Sequence, residues 1–145
     1  MKVLLVTGAL LFVAVPLGVS QGSKDDTTLI QGTWRVESCK DSGRNDAVIE
    51  GLLLSFLKGG KLIATKGEKV VEGVFRLDPS KHPKCIDIDL GYGAINGIYD
   101  LNGDSLKICH GNPGESRATD FVSDASAPNR ILAFLKRHKD KGPNR

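Results

Sequence analysis

Hydrophobic and polar residues alternate along most of the chain after residue 30, and turns rich in glycine interrupt the alternation. The segment 85–90 shows the pattern most cleanly, because Ile86 and Ile88 fall on one face while Asp87 and Asp89 fall on the other. Asn102-Gly103 is the strongest hairpin signal and predicts a type I′ turn. No segment has the longer helical periodicity that a βαβ unit requires. About eight strands at spacings of roughly 8–12 residues predict an antiparallel barrel or sandwich.

The amino terminus has a different pattern, in which Lys2 precedes an almost uncharged apolar run from Val3 to Leu17. The run is shorter than the ~20 residues that a transmembrane helix needs, and small residues follow it. We therefore expect a signal peptide that is cleaved after Ser20 or Gly22, and a protein that is periplasmic or secreted. A retained anchor is the alternative. The predicted organisation is a signal peptide over 1–20, a linker over 21–28, a barrel domain over 29–137 and a basic flexible tail over 138–145.

Length and charge narrow the class of protein. A chain of 145 residues fits one domain. Its 20 basic and 17 acidic residues are too balanced to indicate binding to nucleic acid or to an anionic membrane. No later segment has the length and apolarity of a membrane span, so we expect the mature chain to be soluble.

Cysteine and histidine offer little reactive chemistry. The cysteines are Cys39, Cys85 and Cys109, so at least one thiol is left over if a disulfide forms, and the pairing stays open. Counting along the hairpins places Cys109 about four residues beyond the level of Cys85, which argues against a bond between those two. A metal-like set is formed by His82, Cys85, Cys109 and His110, but their spacing does not suit zinc. We expect no metal, no cofactor and no enzymatic activity, because no nucleophile, base and carboxylate converge in the sequence.

The only tryptophan stands in the triplet Gly32-Thr33-Trp34, at the start of the first predicted strand. A Gly-x-Trp triplet at this place resembles the opening of lipocalin-like barrels, in which the tryptophan plugs the closed end of the barrel. The resemblance implies that a basic residue of the last strand, Lys136 or Arg137, covers the indole, and we assign this role to Arg137. A core tryptophan of a sandwich is the alternative. The first reading predicts that Gly32, Trp34 and Arg137 close the barrel.

Five segments follow one another along the predicted mature chain: Leu29-Ile30-Gln31-Gly32-Thr33-Trp34, 73–81, 83–88, 97–109 and 117–121. Together with the apolar final strand, they resemble a family of small secreted domains of planctomycete bacteria, which are conserved and of unknown function. The resemblance covers nearly all of the predicted mature chain, in order. It implies a lipocalin-like β-barrel and bacterial export, and it implies no reaction.

An eight-stranded barrel is just wide enough to be filled by side chains or to hold one small ligand. The leading hypothesis is a module that binds a small apolar or amphipathic molecule against Phe56, Phe75 and Tyr99. The alternative is a structural or protein-interaction module of the cell envelope with a filled barrel. Gly73 and Gly97 are predicted to mark bends or to leave space for a ligand. The predicted inward-facing residues are Leu54, Phe56, Val71, Phe75, Ile86, Ile88, Tyr99, Leu106, Ile108, Leu132 and Phe134.

Overall fold

The computed structural model describes residues 25–140. The predicted signal peptide, its cleavage position and the last residues of the basic tail lie outside this range. Residues 25–140 form one short helix and nine strands: α1 (Asp26–Leu29), β1 (Gly32–Asp41), β2 (Arg44–Asn45), β3 (Leu53–Leu57), β4 (Lys61–Lys66), β5 (Lys69–Asp78), β6 (Lys84–Asp89), β7 (Ala94–Asn102), β8 (Ser105–His110) and β9 (Ile131–Arg137).

Eight of the strands form a closed barrel. From β3 to β9 each strand pairs with the next strand in the chain, β1 pairs with β3, and β9 pairs back to β1. All pairings are antiparallel, and β2 extends one end of β1 by a short hairpin. The predicted all-β, lipocalin-like up-and-down barrel of about eight strands is therefore confirmed.

The barrel has two unlike ends. At the closed end, α1 precedes β1, and short connections over 58–60, 79–83 and 103–104 join the strands. At the open end, the loop 46–52 and the long loop 111–130 join the strands. Aromatic side chains fill the closed half: Trp34, Phe56 and Tyr99 are at most 1% exposed. Phe75 stands edge-to-face against Phe56, with 4.9 Å between the ring centroids.

A second, smaller apolar cluster lies outside the barrel wall, beneath the loop 111–130. It contains Ile98, Cys109, Ala118 and Leu132, with Phe121 packed against it. Leu132 therefore faces away from the barrel interior, and Phe134, two residues further along the strand, shares its face and is 41% exposed. The prediction that Leu132 and Phe134 point inward is wrong: the loop 111–130 covers Leu132 on the outer face of β9, and Phe134 lies exposed further along the same face.

Irregular pairing in β1 changes which residues face inward. The register between β1 and β9 shifts between Val36 and Ser38, which inserts one extra residue. As a result Ser38 is exposed and Cys39 is 1% exposed within the main core. Strict alternation along β1 without this extra residue would instead place Ser38 on the face of Trp34.

All three cysteines are free thiols. Cys85 pairs with Ile98, and Ile98 pairs with Cys109 on its other side. The two cysteines are thus level with each other, with β7 between their strands, so the predicted offset of four residues is wrong. Two strand spacings of ~4.8 Å still separate them by more than a disulfide permits.

Candidate functional site

The guanidinium of Arg137 covers the tryptophan at the closed end. Its central carbon lies 4.3 Å from the centroid of the Trp34 ring, a cation–π distance. Nη1 donates to the carbonyl of Gln31 at 2.8 Å, and Nη2 donates to the carbonyl of Leu29 at 2.9 Å. Nε donates to Asp104 at 3.0 Å. Arg137 therefore ties the last strand to the end of the helix and to the turn before β8.

Gly32 is required by this arrangement. Its φ is +118°, and a Cβ built on it would stand 2.9 Å from Nη1 of Arg137. A side chain here would meet both a strained backbone and the guanidinium. Trp34 donates from Nε1 to the carbonyl of Ile30 at 2.8 Å, so the buried indole is satisfied. The structure thus places together the three residues that the lipocalin-like resemblance assigned to barrel closure.

Tyr99 is fixed at the same end. Its hydroxyl donates to Asp26 at 2.7 Å, and Lys84 donates to the same oxygen at 2.8 Å. Burial and the neighbouring carboxylate raise the pKa of Tyr99. Burial also opposes the ionisation of Asp26, but the hydrogen bonds from Lys84 and Tyr99 outweigh it and lower the pKa of that carboxyl group. The ionised carboxylate is therefore held between two donors, and Tyr99 keeps its proton.

The open half of the barrel contains a cavity of about 200 Å³. Its walls are aliphatic apart from one thiol and one imidazole. Ile49, Leu52, Leu90, Ile95 and Ile131 are only partly buried, so the cavity reaches the surface at this end. The lining residues are Val36, Cys39, Ile49, Leu52, Leu54, Leu62, Ile88, Leu90, Ile95, Ile108, His110, Ile131, Ala133 and Leu135.

The loop 46–52 forms one side of the mouth. The amide of Gly51 donates to the carbonyl of Val36 at 2.8 Å, and Val36 donates to Leu52 at 2.9 Å. The ammonium of Lys66 donates to the carbonyls of Val48 and Glu50. These bonds hold Ile49 and Leu52 over the barrel interior, where they complete the apolar wall.

The residues predicted from the sequence to contact a ligand lie elsewhere. Phe56, Phe75 and Tyr99 pack in the closed half and do not line the cavity. Gly73 and Gly97 leave no space either, since a Cβ on Gly73 would stand 2.1 Å from the carbonyl oxygen of Asp89. A Cβ on Gly97 would stand 2.8 Å from the carbonyl oxygen of Cys109. Both glycines permit close packing of the wall, and neither makes room for a ligand.

Cys39 and His110 are the polar groups of the lining. Burial raises the pKa of the Cys39 thiol to about 11, and the carboxylates of Asp46 and Asp41 add to the effect. Burial lowers the pKa of His110, although its hydrogen bond to the carbonyl of Gly111 opposes this change. Both groups are therefore neutral near pH 7, and the cavity carries no charge on its walls.

No metal-binding arrangement is evident in residues 25–140. No three His, Cys, Asp or Glu side chains there are grouped so that they could hold a metal ion. His82 is exposed, whereas Cys109 lies under the loop 111–130, so the metal-like set in the sequence is dispersed. Within the same range, no helix combines the length and the apolar composition that spanning a bilayer demands.

The fold and the cavity together define a small lipocalin-like barrel with a plugged end and a partly open end. No protein-family model matches the chain, and no characterised protein or solved structure is significantly similar to it.

Proposed function

We propose that the protein is a non-enzymatic binding module that takes up one small apolar or amphipathic molecule. The observation that carries this proposal is the unfilled open half of the barrel, whose walls are almost wholly aliphatic. Burial of apolar surface contributes roughly 25 cal/mol per Å², so such a cavity favours an apolar guest over water. The apolar run in residues 1–20 supports export, which would place this activity in the periplasm or outside the cell.

The volume limits the size of the ligand. An engineered cavity of about 150 Å³ lined by aliphatic and aromatic groups stays dry and admits benzene, whereas drug-sized ligands need about 300–1,000 Å³. At about 200 Å³, the cavity suits a single ring with a small substituent or a short branched chain. A long-chain lipid would require the closed half as well, and Trp34, Phe56 and Tyr99 occupy that half.

The closed end gives the site its direction. Trp34 and Arg137 seal the closed end, and hydrogen bonds from Lys66 hold the loop 46–52 at the open end. A ligand therefore enters between the partly buried residues of the rim. The resemblance to secreted planctomycete domains is consistent with this assignment but names no ligand.

A cavity-filling variant tests the proposal. In Ala133→Phe the new ring would occupy the cavity, because Ala133 lines it. Ala125→Phe makes the same change on the exposed loop 111–130 and serves as the control. Toluene is titrated into each protein by calorimetry, and amide chemical shifts are followed by NMR. A ligand of this size should bind with a dissociation constant of about 0.1–1 mM.

We expect saturable binding with one site in the wild type and in Ala125→Phe, and none in Ala133→Phe. The amide shifts should concentrate at the open end of the barrel. Absence of saturable binding of both toluene and phenol in the wild type would contradict the proposal and favour the filled-barrel interaction module. Equal binding by Ala133→Phe would show that the ligand sits elsewhere.

A further inference from the structure

His110 interrupts the aliphatic wall of the cavity. It is the last residue of β8, where it pairs with Gly97 on one side and Ile131 on the other. A Cβ on Gly97 would stand 3.1 Å from the Cβ of His110. The absence of a side chain at Gly97 therefore lets the imidazole lie against the wall, where it borders the cavity.

The hydrogen bonding of the ring defines its tautomer. Nδ1 of His110 lies 2.7 Å from the carbonyl oxygen of Gly111. A carbonyl oxygen can only accept, so the hydrogen is on Nδ1. In a neutral ring Nε2 is then an acceptor with a free lone pair. Because burial lowers the pKa of His110, the neutral form is the one present at pH 7.

Nε2 lacks a partner within the described part of the chain. None of its hydrogen bonds or ion pairs involves this atom, and every fully buried side-chain nitrogen or oxygen there is satisfied. Nε2 therefore keeps accessible surface, on a residue that lines the cavity. Asp41 and Arg130 are the charged groups that affect His110, and neither belongs to the cavity lining. An apolar guest that displaced water from Nε2 would leave a polar group unsatisfied, which is unfavourable.

We infer that the cavity selects ligands which carry a hydrogen-bond donor, an O–H or N–H group on a small apolar body, and that Nε2 of His110 accepts this hydrogen bond. The inference rests on the proposed binding function and assigns a chemical class to its ligand. Small alcohols, phenols and N–H heterocycles fit this class. Hydrocarbons and ethers of the same size lack the donor.

Phenol and toluene form a matched pair of probes, since they differ by a hydroxyl in place of a methyl group. Water also solvates phenol more strongly than toluene. The informative quantity is therefore the ratio of the two affinities, compared between the wild type and each variant. In the wild type the ratio includes the hydrogen bond to Nε2, and in His110→Leu it does not. Loss of a buried hydrogen bond changes an affinity by about tenfold. Replacement of His110 should therefore lower the preference for phenol by about tenfold.

Ile131→Val is the control variant, because it trims the same rim without changing a polar group. It should weaken both probes alike and leave the ratio as in the wild type. If both probes bind but the ratio is unchanged in His110→Leu, the inference is refuted while the proposed function stands. If neither probe binds the wild type at a single site, the proposed function fails, and the inference fails with it.

A second measurement needs only the wild-type protein. Long-range ¹H–¹⁵N spectra of the imidazole distinguish a protonated nitrogen from an unprotonated one. We expect Nδ1 to carry the hydrogen, and we expect the Nε2 resonance to shift when phenol is added but not when toluene is added. A ring protonated on Nε2 alone, or an equal response to both probes, would overturn the inference even if His110→Leu does not fold.

Discussion

Replacement of Arg137 by alanine removes several contacts at the closed end at once. Two hydrogen bonds run from a charged donor to the carbonyls of Gln31 and Leu29, and the guanidinium covers Trp34. Hydrogen bonds of this type contribute about 1.5 kcal/mol each at the lower end of their range. The lower end applies because water can reach Leu29, which is 42% exposed. The cation–π contact adds about 1 kcal/mol.

The ion pair with Asp104 contributes little, because the carboxylate is 60% exposed and water screens it. The contacts share one side chain, so they do not add in full. We expect Arg137→Ala to lower the free energy of unfolding by about 3 kcal/mol, which corresponds to a fall in melting temperature of about 10 °C. Arg137→Lys keeps the charge but loses the planar guanidinium that donates to both carbonyls. Its free energy of unfolding should therefore lie between those of the wild type and Arg137→Ala.

Urea unfolding monitored by the fluorescence of Trp34 measures this loss, because the protein has one tryptophan. Lys136→Ala is the matched control: Lys136 is exposed and donates one hydrogen bond to the hydroxyl of Ser105 at 2.6 Å. Its stability should remain within about 0.5 kcal/mol of the wild type. If Arg137→Ala is no less stable than Lys136→Ala, the guanidinium does not hold the closed end together.

Three further outcomes follow from the packing of the wall. Gly97→Ala should lower the free energy of unfolding by about 1–3 kcal/mol, because a Cβ there would meet the carbonyl of Cys109. A urea midpoint equal to that of the wild type would contradict this. Burial lowers the pKa of His110 below its usual 6.5, so the unfolded chain takes up the proton first, and the stability contributed by the neutral ring falls as the pH drops below about 6.5. The denaturation midpoint of His110→Leu should therefore change less with pH between about 7.5 and 5 than that of the wild type. An equal change in midpoint with pH for the two proteins would argue against this. Mass spectrometry after thiol labelling of the native protein should show Cys85 modified well before Cys39 and Cys109, which are at most 1% exposed; equal rates would mean that the barrel opens readily.

The alternation of apolar residues predicted the strands and the hairpins well, because each inward side chain of a barrel is separated from the next by an outward one. It predicted direction poorly where both faces are covered. In β9 the long loop 111–130 buries Leu132 on the outside, while Ile131 and Ala133 face the cavity. An apolar side chain indicates that a position is buried, but it does not indicate whether the position is buried inside the barrel or on its outer face.

The cavity itself was beyond the reach of the sequence. Large aromatic residues are natural candidates for a ligand site, yet Phe56, Phe75 and Tyr99 gather around Trp34 and fill the closed half. Whether the other half is filled depends on small differences in volume summed over many side chains and on the bulge that turns Cys39 inward. His110 stands at the end of an apolar strand, but the sequence does not show that it borders the cavity or that Nδ1 donates to the carbonyl of Gly111.

The seam between β1 and β9 has a consequence for how the protein folds. Trp34 pairs with Arg137, so the barrel closes through contacts between residues roughly a hundred positions apart. This one distant pairing costs more loop-closure entropy than the hairpins between consecutive strands, so we expect it to form last. Until the last strand arrives, β1 and β8 each present an unpaired edge to any neighbouring chain. Pairing of β9 with both strands covers these edges, through which incompletely folded copies would otherwise aggregate. The contacts of Arg137 at the closed end therefore stabilise the strand on which the protection of both edges depends.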